Sequence, residues 1–195
     1  QVPQHEAYVV DEIGNSTLRV TSDSNHGGDQ GIKFMDRFAG ENLSRIFITT
    51  LPIVKGTIGL WVQLAPNGHF GFIGADANNI ITFQLQLNND NTMFYRDGGS
   101  LSEAEDGFPT DQWAYFEFVF DMEAHGYNAY IDGQQVTPDP AVQNNSLAEN
   151  SVLVLIAFNN ATIDYVFIDE LLFMEDIAEE RRIGIPRFPH LPGGY

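Results

Sequence analysis

The chemistry this sequence can offer sits in strand-like runs that alternate aromatic with polar residues. The stretch TDQWAYFEFVFDMEAHGYNAYIDGQQV at 110–136 sets Trp113, Tyr115 and Glu117 two residues apart, and Asn128 and Tyr130 follow in the next run. Trp61 and Gln63 repeat the theme in TIGLWVQLA, and Gln84 and Gln86 in NIITFQLQL. Side chains two apart on a strand share a face, so these runs set rings, amides and a carboxylate on their second faces. Sugars are bound by that mixture, because a ring stacks on the apolar face of a pyranose while Gln, Asn and Glu pair with its hydroxyls. The same pattern also suits an ordinary half-exposed sheet, since β-propensity alone enriches aromatics. The candidate carbohydrate-binding residues are therefore Trp61, Gln63, Gln84, Gln86, Glu117, Asn128 and Tyr130.

The elements that must carry them are strands. Period-2 alternation recurs along the chain, with runs at 7–12, 16–22, 31–35, 44–50, 57–65, 69–75, 79–87, 92–97, 112–121, 127–133, 134–136, 151–159 and 163–175 separated by turn-formers such as PNG, NNDN and DGGS. Ile58, Leu60, Val62 and Leu64 form one apolar face; so do Ile81, Phe83, Leu85 and Leu87, and Ala114, Phe116, Phe118 and Phe120. Each of these strands is expected to bury that face and present a polar one. The fold class is all-β, a two-sheet antiparallel β-sandwich or jelly roll. A 3.6-residue stripe appears only near DIAEERR, which predicts a short C-terminal helix at 176–182. The jelly-roll domain is thus placed at 1–182, and a Pro-rich extended tail at 183–195 carries Pro186, Pro189 and Pro192.

Composition narrows the partners. Asp and Glu number 27 against 9 Lys and Arg, a net charge of −18, and Arg181, Arg182 and Arg187 fall in the last fifteen residues. Such a field repels phosphate backbones and anionic lipid, so neither nucleic acid nor a membrane surface is an expected partner. No apolar run is long enough to span a bilayer as a helix. Cysteine is absent, which removes disulfides, thiolate metal sites and a cysteine nucleophile. Four N-x-S/T sequons, at Asn15, Asn42, Asn144 and Asn160, lean towards a secreted glycoprotein, although an Asn-rich chain also produces sequons by chance.

The order STLRVTS, SRIFITT, TIGLWVQLA, TDQWAYFEFVFD with its Phe116–Glu117 step, NAYIDGQQV and YVFIDELLFMED…RRIG resembles concanavalin A-like and laminin-G-like jelly rolls. Among these it is similar to the Cip1-type secreted proteins, related in fold to glucuronan and alginate lyases. The resemblance spans about residues 16–184. It implies a polysaccharide lyase acting by β-elimination on a uronic-acid glycan as an alternative to plain binding. Such lyases neutralise the uronate carboxylate with an amide, His or Arg and use Tyr or His as base and acid. The corresponding strand here, ITFQLQL, carries Gln84 and Gln86 but no cation, so His69, Tyr95, Arg96 and Tyr130 are the candidate catalytic residues. The resemblance also implies a structural Ca²⁺ near the chain ends held by a terminal-strand aspartate, and Asp169 of FIDE matches that position, without a recognisable partner glutamate.

Other chemistries find no support. The paired-carboxylate pattern of laminarinase-like hydrolases is missing: alternation puts Asp169 and Glu175 on one face and Glu170 on the other. NNDN and DSNHGGDQG lack EF-hand spacing, and no nucleophile-elbow, P-loop, zinc-helix or dinucleotide motif occurs. Three readings stand: a secreted carbohydrate-binding jelly roll recognising a polysaccharide on a concave sheet, a lyase, and a structural subunit of an extracellular assembly that self-associates through its terminal arms. Few local cations exist to draw a uronate chain into so acidic a body, which ranks binding of a largely neutral glycan first.

Overall fold

A computed structural model of the chain describes residues 7–13, 17–22, 26–27, 31–35, 42–53, 55–66, 68–76, 78, 80–88, 90–104, 107–138, 141–142, 150–159 and 165–175. The strands are β1 (Ala7–Ile13), β2 (Thr17–Thr21), β3 (Gly31–Met35), β4 (Asn42–Ile53), β5 (Lys55–Leu64), β6 (His69–Ala75), β7 (Ile81–Leu87), β8 (Met93–Asp97), β9 (Ser100–Glu103), β10 (Trp113–Asp121), β11 (Gly126–Ile131), β12 (Gln134–Gln135), β13 (Ala141–Val142), β14 (Asn150–Asn159) and β15 (Tyr165–Glu175). They form two antiparallel sheets. One has the order β1-β4-β14-β6-β7-β8-β9; the other runs β12-β11-β10-β5-β15-β3-β2, with β13 pairing β11. The protein is an all-β two-sheet sandwich, as the alternation predicts.

The core faces are those the sequence indicates, except that Ile81, where the β6–β7 register shifts, is only partly buried. Ile58, Leu60, Val62 and Leu64 of β5 are at most 1% exposed, as are Ala114, Phe116, Phe118 and Phe120 of β10. Opposite them lie Phe70 and Phe72 of β6 and Phe83, Leu85 and Leu87 of β7. The rings form one lattice: Phe118 meets Phe72 at 4.7 Å, Phe83 at 5.0 Å and Phe116 at 5.0 Å between centroids. Each fully buried Phe contributes about 1.5–3 kcal/mol through area removed from water, so this lattice is what joins the two sheets.

Three local features shape the surface that function must use. The β11–β12 hairpin turns on Asp132 and Gly133, both at positive φ (49° and 81°), the pairing that a type I′ turn demands. Asp132 exchanges two bonds with Tyr115, accepting from its N–H at 2.8 Å and donating to its carbonyl at 2.8 Å. At the β6–β7 turn the buried Asp76 accepts the N–H groups of Asn78 and Ile80, both at 2.8 Å, so GADANN is a capped turn. In β15 the register against β5 shifts between Asp169 and Leu172, with Glu170 at φ 50°.

Two strands escape the alternation rule. Ser100–Glu103 reads as polar loop, yet β9 pairs β8 along its whole length at the sheet edge; an edge strand with mostly exposed side chains has no apolar face to reveal it. β13 is two residues long. The expected helix at 176–182, the Pro-rich tail at 183–195 and the sequons at Asn15, Asn144 and Asn160 lie outside the described residues, while Asn42 opens β4.

Candidate functional site

The proposed carbohydrate residues do not converge. Trp61, Gln63, Glu117, Asn128 and Tyr130 stand on the outer face of the eight-stranded sheet, whereas Gln84 and Gln86 stand on the outer face of the seven-stranded sheet, with the aromatic core between them. The alternation of each strand is read correctly; its assignment to one or other sheet is not contained in the alternation. A single site cannot use both sets.

On the eight-stranded sheet, register builds rows across β10, β5 and β15: Trp113–Gln63–Phe167, Tyr115–Trp61–Asp169 and Glu117–Gly59–Leu172. The rings close on one another. His26 stacks on Trp61 with centroids 3.5 Å apart and planes 14° from parallel, and it meets Trp113 edge-on at 6.0 Å. Trp61 also packs against Tyr115 at 5.3 Å. Lys33 sits 5.0 Å over Phe167 and 5.8 Å over Tyr165, a cation–π cover. Gly59 is needed here, because the Tyr115 hydroxyl occupies the space a Cβ would take.

Asp169 fastens this cover down. Its Oδ2 accepts the N–H of His26 at 2.8 Å and of Gly27 at 3.4 Å, and its Oδ1 accepts the N–H of Glu170 at 2.8 Å. The bulge turns Glu170 towards the same segment: its carboxylate lies 3.6 Å from His26 Nδ1 and against Gly27. The parity argument that put Glu170 on the face opposite Asp169 is thereby corrected, since the positive φ and the extra residue break the alternation. The calcium expectation also meets a poor fit. Ca²⁺ takes six to eight oxygens, but the Asp169 oxygens accept peptide N–H groups, and no cluster of three or more His, Asp or Glu able to hold a metal occurs among the described residues.

Half-buried in the same face, Glu117 has its carboxyl pushed above the ordinary range by burial. The Tyr115 phenol is raised as well, first by burial and then by the charges of Glu117 and Glu170. Beside them, Asn128 accepts a 3.4 Å bond from Gln135 Nε2, and Tyr130 pairs Glu117 in register.

The seven-stranded sheet presents a different surface. On β7 the side chains alternating with the core set are Thr82, Gln84 and Gln86, and Asn88 follows them. Gln84 Nε2 donates to Gln86 Oε1 at 3.2 Å, Gln86 Nε2 to Asn88 Oδ1 at 2.9 Å, Asn88 Nδ2 to Thr92 Oγ1 at 3.4 Å, and Thr92 Oγ1 to Asp90 Oδ1 at 2.5 Å. Arg96 begins the chain, with Nε and Nη2 donating to Gln84 Oε1 at 3.2 and 2.9 Å. Every donor thus points the same way, from a guanidinium at one end to a carboxylate at the other, an arrangement in which each bond polarises the next. The Asp90 carboxyl is held below its usual range, first by its Thr92 bonds.

Across the same rows, Gln86 lies between Gly71 and Phe94, and Phe94 pairs Glu103. An aromatic, three amides, a cation and a carboxylate therefore meet on this face. The expected open polar face is partly corrected: Thr82 and Gln84 are buried, at 0% and 7% exposure, with the Arg96 side chain bonded over Gln84. Phe94, Asn88 and Glu103 went unread in the sequence; the alternation of TMFYRD holds the signal for Phe94, since Met93 and Tyr95 both point to the core.

The lyase candidates scatter. His69 and Arg96 belong to the outer face of the seven-stranded sheet. Tyr95 is turned into the core at 8% exposure, beside a cavity of about 280 Å³ bordered also by Glu103, Gln135 and Thr137. Tyr130 is on the other sheet. Burial lowers the His69 pKa and so favours a neutral imidazole, against the smaller opposing effect of the Asp90 charge. ITFQLQL itself has no cation, but β8 supplies one by laying Arg96 on Gln84.

No protein-family model matches the sequence, and no curated protein is similar enough in sequence to count as a relative. Solved structures do match in shape. The endo-β-1,4-glucuronan lyase from the fungus Trichoderma reesei superposes with a TM-score of 0.66 at 10% identity, over 88% of this chain and 96% of that one. The cellulose-induced protein Cip1 gives 0.61 at 14% identity, over 85% and 90%. A sialidase gives 0.67 at 12% identity over 84% of this chain, but the match takes in only 17% of the sialidase. At these identities the likeness is one of fold: the chain has the concanavalin A-like jelly roll shared by Cip1 and the glucuronan lyase.

Proposed function

We propose that this protein binds a polysaccharide along the outer face of its seven-stranded sheet, with Gln86 and Asn88 addressing hydroxyls, the buried Gln84 orienting them from below Arg96, and Phe94 providing the stacking surface. The observation that carries the reading is the directional amide chain beside Phe94, because it fixes donors and acceptors before a ligand arrives and so lowers the ordering cost of binding. The names of the fold neighbours, a glucuronan lyase among them, support a carbohydrate role, and the sequon excess supports export. Titration of neutral and uronic-acid oligosaccharides by calorimetry tests it. Saturable binding that Gln86→Ala weakens at least about tenfold is expected; no binding to any glycan, or binding indifferent to Gln86, refutes it.

Arg96 favours a second reading, lyase action on a uronate. Its guanidinium beside Gln84 is suited to neutralising a carboxylate, whereas His69 on the same face has both ring nitrogens buried and offers no base to a ligand. Growth of unsaturated-product absorbance with a uronan, lost in Arg96→Ala, would establish this reading over binding alone.

A further inference from the structure

Beneath Gln84 and Arg96 the two sheets are joined by one phenol. Tyr127 stands on β11 of the eight-stranded sheet and is 1% exposed. Its ring crosses the core between Phe83 and Phe118, each 5.8 Å away. Its hydroxyl donates to the main-chain carbonyls of Arg96, at 2.6 Å, and Gln84, at 3.1 Å, on the opposite sheet.

Where this contact falls matters. The β7–β8 ladder pairs Leu87 with Met93, Gln86 with Phe94 and Leu85 with Tyr95, and stops there. Gln84 and Arg96 are the next pair along. Their backbones are held together from the core side by the shared Tyr127 hydroxyl, and their side chains meet on the outer side through the two guanidinium bonds to Gln84 Oε1. The phenol thus reinforces the last rung of the backbone ladder from the core side, and the cationic end of the amide chain sits directly above it.

We propose that Tyr127 is a positioning residue for the glycan face, acting through the backbones of Gln84 and Arg96 to hold the guanidinium on the amide chain; this rests on the binding function proposed above. Removing the hydroxyl takes away the single proton that these two core-side carbonyls share, and a buried acceptor that loses a donor is costly. The strands then relax at that point and Arg96 loses its fixed approach to Gln84. The downstream amides of Gln84 and Gln86 lose the charge that orients them. Burial pushes the Tyr127 hydroxyl far above the ordinary phenol range, so it remains a donor at any pH the fold tolerates.

The test uses Tyr127→Phe, which keeps the ring in the core, beside Ile168→Val, a core truncation on β15, which pairs β3 and β5 in the other sheet. The readouts are the exchange rate of the Arg96 Nε–H by NMR and the glycan dissociation constant. Tyr127→Phe is expected to speed Arg96 Nε–H exchange and to weaken binding, each about tenfold, the scale of one hydrogen bond, with Ile168→Val within about twofold of wild type on both. An unchanged Arg96 signal in Tyr127→Phe overturns the proposal, as does an equal loss in Ile168→Val. If the wild-type protein binds no glycan, the binding function fails on its own, and the Arg96 signal still decides whether Tyr127 positions the guanidinium.

Discussion

The two outer faces of this sandwich are built from opposite materials. The eight-stranded sheet carries rings that satisfy one another: Trp61 lies under His26, Phe167 under Lys33, and Tyr115 over Gly59. The seven-stranded sheet carries amides joined in a directed chain, with a half-buried Phe94 beside Gln86. A stacking platform needs a ring with an open face. The ring-rich surface has closed the face of Trp61 internally, and the surface poorer in rings keeps the mixture suited to a sugar. Aromatic density in a strand therefore signals packing at least as often as recognition.

The sharpest way to break this comparison is to truncate one ring on each face. Phe94→Ala is expected to weaken glycan binding about 30-fold or more, the cost of removing a central anchor, whereas Trp113→Ala should leave the dissociation constant within about twofold. Calorimetry with the same oligosaccharide measures both. If Trp113→Ala abolishes binding and Phe94→Ala does not, the glycan belongs on the aromatic face and the assignment must be reversed.

Next in size is the slot at Gly59. A methyl group there meets the Tyr115 hydroxyl and ring, and Tyr115 is held by its backbone bonds to Asp132 and by the packing of Trp61. Gly59→Ala should cost about 1–3 kcal/mol, as overpacking does, read as a lower urea midpoint with an unchanged slope. The Gly59→Ala, Tyr115→Phe double variant removes the hydroxyl from the clash and should recover part of the loss. No recovery would mean the ring is not what fills the slot.

These residues also show what was readable in advance. Phe116, Phe118 and Phe120 were assignable to the core because strand alternation is local, and Trp113, Tyr115 and Glu117 to the opposite face for the same reason. Which sheet receives β7 is a matter of long-range pairing, so Gln84 and Tyr130 fell together on paper and lie apart in space. The bulge at Glu170 is equally silent, because a residue at positive φ need not be glycine. His26 was invisible as a partner of Trp61, since 35 positions separate them and the loop sequence NHGGDQG marks only a turn.

A smaller effect is expected from Asp169→Ala, which removes the acceptor for the His26 and Gly27 N–H groups. The contact is exposed, so the loss of stability should be about 1 kcal/mol. In a Trp113→Phe background, however, Trp61 emission should shift to the red as His26 leaves its ring. Calcium supplies a second arm: the melting temperature should be the same with added Ca²⁺ or a chelator. A calcium-dependent rise lost in Asp169→Ala would restore the metal to this position.

The smallest effect lies in the pH dependence at Glu117. Its carboxyl titrates above the ordinary value in the folded protein because burial disfavours its charge. Between the ordinary value and the raised one, the native state keeps a proton that the unfolded chain has released, so stability contributed by this group falls as pH rises through that window. Glu117→Gln lacks the titration, and every other acid is common to both proteins. The stability difference, variant minus wild type, should therefore climb as pH is raised from about 4 and level off once Glu117 is ionised in the fold. Urea titrations in parallel at several pH values give that difference directly. A flat difference would place Glu117 in solvent and leave the aromatic face without its buried acid, whereas a rising one shows that the face closed by His26 and Tyr115 excludes enough water to disfavour a charge.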